Sequence, residues 1–339
     1  MSRYFCNGAI NVIFDSFISK KKKQLKMQQI TDTILMIRPV AFRLNEQTAV
    51  NNYFQETMSI ENIEINKKAQ VEFDTFAEKL RSVGVQVIVE DDQLELDTPD
   101  SIFPNNWVSF HANGSVALYP MFAENRRRER REETLIRLEK EGFVIKQIID
   151  YTTAEEEKIF LEGTGSLLLD RVNKKAYCAL SPRADEDLFI EFCEDFEYTP
   201  VVFSAFQTVN DKREKIYHTN VMMCIGDTFA VVCLASIDDK KQRKSLINHL
   251  QDDGKKVIEI SEDQVNHFAG NMLQLKGVEE TSYLVMSQSA LKSLRPAQVK
   301  LIESHTTILS CPLDTIESCG GGSARCMMAE VFLPTTVSK

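Results

Sequence analysis

The stretch Asn106-Trp107-Val108-Ser109-Phe110-His111-Ala112-Asn113-Gly114-Ser115-Val116-Ala117-Leu118-Tyr119 decides the fold. Two apolar runs, 107–110 and 116–119, flank Asn113-Gly114, and Asn-Gly between such runs is the strongest short hairpin signal. A charged helical pattern follows over 124–141, then a strand over 143–149. Hairpin, helix and strand form one unit, and the chain repeats it. The second copy reads 166–170 and 176–180 across Asn173, a helix over 185–196 and a strand over 201–206. The third reads 221–225 and 229–234 across Gly226-Asp227, a helix over 238–251 and a strand over 256–260. The fourth reads 272–275 and 283–286, a helix over 289–303 and a strand over 307–311. A fifth is divided between the chain ends, with 326–333 and 34–38 as its hairpin, 72–83 as its helix and 85–89 as its last strand.

The residues that precede the five hairpins are Asn106, Glu162, His218, Asn271 and Cys326, spaced by 56, 56, 53 and 55 residues. Spacing this regular marks one supersecondary unit copied along the chain. A unit divided between the ends implies a closed ring without capping repeats. In such a ring the five positions face one central cavity.

The last of them stands in Gly320-Gly321-Gly322-Ser323-Ala324-Arg325-Cys326-Met327-Met328. Glycines let a backbone come close to a ligand, and the cysteine after them opens an apolar run read as a buried strand over 327–333. A thiol placed there is a candidate nucleophile, against the plainer reading of one more buried cysteine.

Composition narrows the classes. At 339 residues and 43% hydrophobic the chain can bury a large core, and a net charge of -10 argues against nucleic acid. Eight cysteines without a Cys-x-x-Cys pair read as reduced thiols in a cytoplasmic protein. No apolar run is long enough to cross a bilayer. Residues 1–26, with Lys20-Lys21-Lys22-Lys23 after a mildly apolar stretch, read as a disordered extension or a misassigned start. Residues 27–339 then form a single catalytic domain.

Five motifs in matching repeats carry a resemblance: Phe103-Pro104-Asn105-Asn106-Trp107, Asn125-Arg126-Arg127 with Glu129, Glu162-Gly163-Thr164-Gly165-Ser166, His218-Thr219-Asn220, and Gly320-Gly321-Gly322 before Cys326-Met327. Together they resemble the pentein, or guanidine-modifying, superfamily, most closely its citrulline-hydrolysing, amidinotransferase-like branch. The resemblance covers about residues 30 to 335. It implies an α/β fold, a pentein propeller of five pseudo-symmetric repeats closed by the two chain ends. It also implies a cofactor-free, metal-free hydrolase of non-peptide carbon–nitrogen bonds in arginine metabolism.

The roles it implies follow residue by residue. Cys326 is the nucleophile, with Cys319 the rival. His218 is the acid that protonates the leaving amine and the base that activates water. Glu162 orients His218 or grips substrate nitrogens. Asn106, Asn220, Arg126, Arg183 and Asn271 line the substrate site. Arg126 and Arg183 suit a substrate carboxylate, although the run Arg126-Arg127-Arg128-Glu129-Arg130-Arg131 also reads as a solvated helix face. Asn271 has no specific role in this reading, and Trp107 is a core anchor. Asn106 and Asn220 stand where guanidine-using relatives carry acids. A ureido group is neutral and needs a donor for its carbonyl, which an amide supplies, so citrulline is the expected substrate. The alternatives are an arginine deiminase or amidinotransferase acting on a guanidine, and a non-catalytic binding protein of the same fold. The expected partner is a small amino-acid substrate, with no nucleic acid and no membrane; homo-oligomerisation is left open.

Overall fold

The computed structural model describes residues 27–336, so the reading of residues 1–26 lies outside the described residues. The architecture is mixed α/β and rests on five three-stranded sheets built alike. In each, the middle strand is antiparallel to its hairpin partner and parallel to a later strand. Val108–Phe110, Ser115–Leu118 and Gln147–Asp150 form the first such sheet along the chain. Leu167–Asp170, Lys175–Ala179 and Thr199–Phe203 form the second. Met223–Ile225, Phe229–Val232 and Lys256–Glu259 form the third, and Leu273–Lys276, Ser282–Ser287 and Thr307–Cys311 the fourth. The fifth joins the chain ends: Thr33–Arg38 runs parallel to Gln86–Asp91 and antiparallel to Ala329–Glu330, with Ile34 opposite Glu330.

A parallel third strand requires a crossover, and a helix provides it each time. The helix Asn62–Ser82 shows why it folds and packs. Ile65, Ala69, Phe73, Phe76, Ala77 and Leu80 recur at three- and four-residue spacing and are all buried. Each large apolar side chain removed from water on that face contributes about 1.5–3 kcal/mol. Side-chain caps start other helices: Asp185 accepts from the Leu188 N–H ahead of Glu186–Asp195, and Ser261 and Gln264 cap each other reciprocally at Glu262–Asn266. Trp107 is buried in the core, as expected.

The structure departs from the sequence reading in four places. The helix expected over 124–141 is a 3-10 segment, Glu124–Glu129, and a separate helix, Glu132–Lys140, with Arg130 and Arg131 extended between them. The break comes where Arg126 and Arg131 turn inward and are buried, so this run is not a solvated face. The helix expected over 289–303 is two, Gln288–Ser293 and Pro296–Glu303, because the residue before a proline resists the helical conformation. A hairpin that the reading did not contain, Phe206–Val209 with Lys212–Lys215, turns through Asn210 and Asp211, both at positive φ. The strand expected over 326–333 shrinks to Ala329–Glu330, and Cys326 lies ahead of it in a helical turn whose N–H groups reach back to Ser323, Ala324 and Arg325.

The second and third sheets are pinned by a buried ion pair. Lys255 Nζ lies 3.2 Å from Asp170 Oδ2 and donates to the Gly226 and Asp227 carbonyls at 3.1 and 2.9 Å. Removing only the cation leaves a buried carboxylate uncompensated. Lys255→Met is expected to cost about 3–5 kcal/mol in urea unfolding, and Lys255→Met with Asp170→Leu is expected to recover most of it. A double variant as unstable as the single one would show that the pair's charges are not the cause.

Candidate active site

Loops entering the hairpins bring the expected residues to one buried place. Asn106 ends the 3-10 turn Pro104–Asn106, Glu162 precedes the short helix Gly163–Ser166, and His218 precedes the 3-10 turn Thr219–Val221, which contains Asn220. Asn106, His218, Arg126, Arg183 and Cys326 line a common pocket with Asp100, Asn52, Phe103, Tyr217 and Gly320-Gly321-Gly322. Gly165 makes the convergence possible. A Cβ there would sit 2.4 Å from Asn106 Nδ2 and 2.8 Å from His218 Nδ1. Gly321 caps the helix Asp314–Gly320 at φ +62, a conformation glycine takes without strain.

The sulfur is surrounded by amides. Asn271 Nδ2 donates to Cys326 Sγ at 3.1 Å and Asn220 Nδ2 at 3.5 Å. Cys326 is 3% exposed. Its rival Cys319 is absent from the pocket lining; burial pushes that thiol up to about 11, which makes it a poor source of thiolate.

Charge gathers around Glu162. One oxygen accepts from the Phe122 N–H at 3.0 Å. The other lies 2.7 Å from His218 Nε2, 3.4 Å from Arg183 Nη1 and 3.9 Å from Arg126 Nη1. Burial alone would raise this carboxyl; Arg183, His218 and Arg126 outweigh burial and hold it well below the usual carboxylate range. Burial pushes His218 down to about 4, against the upward pull of Glu162 and with the help of both arginines. At neutral pH the imidazole is therefore neutral and ready to accept a proton.

Arg126 forms a two-pronged pair with Glu129 at 2.8 and 2.9 Å and donates to Asn106 Oδ1 at 2.8 Å. Arg183 donates to Asn51 Oδ1 and to the Thr48 carbonyl, each at 2.9 Å. Asp100, with the pocket's remaining free carboxylate oxygen, takes Asn45 Nδ2 and Thr48 Oγ1 on one oxygen at 2.8 and 3.1 Å, while its Oδ1 is buried without a hydrogen-bond partner. Thus the segment from Asn45 to Gln55 forms a strap across the site. Asn52 also reaches the Gly320 and Gly321 carbonyls at 3.4 and 3.3 Å. Under this strap the cavity measures about 10 Å³, the room of one water molecule. Any ligand larger than a water molecule needs the strap to move.

Asp100, Tyr217 and the strap were not singled out from sequence, and Glu129 was named only as part of a motif, without a role. Asp100 stands six residues before Asn106 and Tyr217 beside His218, so neighbourhood to a motif was the available signal. The strap had none, because its partners are distant in the chain. Among the described residues no group of three or more His, Cys, Asp or Glu side chains is arranged to hold a metal ion.

The low His218 value has a checkable consequence. The folded value lies below the ordinary 6.5, so the unfolded chain takes up the proton first as pH falls. His218 therefore makes unfolding easier as pH drops from about 6.5 towards about 4. In a histidine-resolved NMR titration its midpoint is expected near 4, and Glu162→Gln is expected to lower it further by removing the group that raises it. A midpoint near 6.5 in the native protein would overturn this account of the pair.

The family model described as N,N dimethylarginine dimethylhydrolase, eukaryotic, matches residues 38–333. No curated protein sequence matches the chain. Among solved structures, apo ArgZ, an arginine dihydrolase from the ornithine-ammonia cycle in Cyanobacteria, aligns with a TM-score of 0.68 at 16% identity over 90% of this chain. The chain spans 42% of that protein. The substrate-bound N-terminal domain of ArgZ gives 0.65 at 16% identity, covering 89% of this chain and 99% of the domain. A dimethylarginine dimethylaminohydrolase adduct with S-methyl-L-thiocitrulline gives 0.59 at 14% identity, over 89% of this chain and 99% of that one. These structural likenesses speak for a shared fold. Matched by one family model over nearly its whole length, the chain belongs to the N,N dimethylarginine dimethylhydrolase family of the pentein, or guanidine-modifying hydrolase, superfamily.

Proposed function

We propose that the chain is a cysteine-dependent hydrolase of a carbon–nitrogen bond in a ureido amino acid, with citrulline the best fit. The five like modules are set in a ring closed by the two chain ends, with the pocket on its axis. Free cysteines throughout the described residues suit a cytoplasmic enzyme. The observation that carries the substrate reading is the amide lining at the sulfur. Asn220 and Asn271 stand 3.5 and 3.1 Å from Sγ, and among the described residues no carboxylate hydrogen-bonds to that sulfur. A cationic guanidinium held there would lose its water with no carboxylate hydrogen-bonded at the sulfur in its place, whereas a ureido group finds amide donors and acceptors.

The remaining groups suit the amino-acid end. Arg183 turns its Nε and Nη2 to the strap's amide and carbonyl oxygens, a fork that matches a carboxylate once the strap lifts. The unpaired Asp100 oxygen fits an ammonium. In the reaction, the Cys326 sulfur bonds to the ureido carbon as its thiol proton passes to neutral His218. The imidazolium then gives that proton to the departing nitrogen as the carbon–nitrogen bond breaks. Water, deprotonated by His218, attacks the thioester-like carbon and restores the thiol. Glu162 holds the imidazole and stabilises its charged form.

The family match and neighbours named for arginine and dimethylarginine keep a guanidine substrate as the second reading. A panel of citrulline, arginine and methylated arginines, read by ammonia release and product mass, separates the two. Product from citrulline, with loss of turnover and retained folding in Cys326→Ser, is expected; product from arginine alone would sink the ureido reading.

Substrate charge gives the sharper test. Asn106 already accepts from Arg126, so an aspartate there would pair with that arginine. Asn220 borders the sulfur, and Asn220→Asp is expected to favour arginine over citrulline binding by at least about tenfold, or about 1.4 kcal/mol. Dissociation constants measured in a Cys326→Ser background isolate binding from chemistry. An unchanged ratio in the folded variant would remove the main physical support for citrulline.

A further inference from the structure

We propose that Asn271 is the thiolate-holding residue of this site, its side-chain amide fixing the position of Cys326 and donating to the sulfur as it gives up its proton. Asn271 is fully buried. Its Oδ1 accepts from the Arg325 N–H at 3.0 Å, while its Nδ2 donates to the Asn220 carbonyl at 3.1 Å and to Cys326 Sγ at 3.1 Å. Both N–H bonds and the carbonyl are thereby used. The orientation is also dictated, since a flipped amide would set its NH₂ against the Arg325 N–H and its oxygen against the Asn220 carbonyl. The neighbouring bonds thus aim a donor at the sulfur.

A thiol sulfur is a weak acceptor and a thiolate a strong one, so a fixed N–H favours the thiolate. Because the same amide is tied to the backbone of Arg325, the residue before the nucleophile, and of Asn220, two residues after His218, it sets the sulfur in register with both. It stands in the fourth repeat, one module before the cysteine's own. Other titratable or charged groups face the sulfur: His218, Asp100, Arg126 and Arg183 across the pocket, and Tyr217 and Arg325 beside it. They are identical in the variants below, so a difference between variants reports the amide.

The test follows alkylation of Cys326 by iodoacetamide against pH, with the labelled peptide quantified by mass spectrometry. Asn271→Leu keeps about the size, adds no charge and removes both donors together with the acceptor for Arg325. Its alkylation midpoint is expected at least one pH unit above that of the parent, so labelling below both midpoints slows about tenfold or more, while the plateau rate at high pH is retained. Asn271→Ser, with one donor left, is expected between the two. A folded Asn271→Leu with the parent midpoint, or with labelling lowered equally at every pH, would overturn the proposal. If the leucine variant does not fold, an unshifted midpoint in Asn271→Ser does the same. No substrate enters this measurement, so an error in the citrulline assignment leaves its outcome intact.

Discussion

The buried carboxylate of Glu162 is the interaction on which the site depends. An ion without water is costly to hold unless charges and donors replace its hydration. Here a backbone N–H, an imidazole and two guanidinium groups do so. Those cations are themselves buried and need partners in turn. Arg126 is met by Glu129 and by Asn106, and Arg183 by Asn51 and Thr48. One ionised group therefore commits residues from five separate stretches of chain to fixed places. The need to bring Arg126 inside accounts for the broken helix after Glu124.

This arrangement divides the pocket into two electrostatic regions. The charged groups satisfy one another and hold a neutral imidazole beside a carboxylate, so that it can take a proton and keep it briefly. The sulfur sits among amides, which donate without adding charge. The sheets fix where each hairpin begins, and the candidate site's side chains stand on the loops just ahead of them.

The strap from Asn45 to Gln55 makes the closed pocket understandable. It is fastened by polar bonds to Asp100, Arg183 and the glycine carbonyls, with Phe54 set against Tyr217 and Phe268. Each of these polar bonds can be exchanged for one to a zwitterionic ligand or to water at little net cost.

Local signals in the sequence settled the repeating hairpin–helix–strand unit, the assembly of one sheet from both chain ends and the convergence of Glu162, His218 and Cys326. Asn-Gly turns and apolar runs act over a few consecutive residues, and a copied unit repeats them at a readable interval. Pro296 and Asn210-Asp211 carried equally local signals for a helix break and an extra hairpin. Tertiary structure alone decided the rest. The inward turn of Arg126 is met by Glu129 within the same run and by Asn106 and Glu162 from elsewhere in the chain, and the run's composition does not show which arginine turns in. Arg183 meets the strap across 135 residues, and Asn271 meets Cys326 across 55. Charge pairing and amide orientation depend on which atoms share a buried space, and residue spacing along a chain does not encode that space.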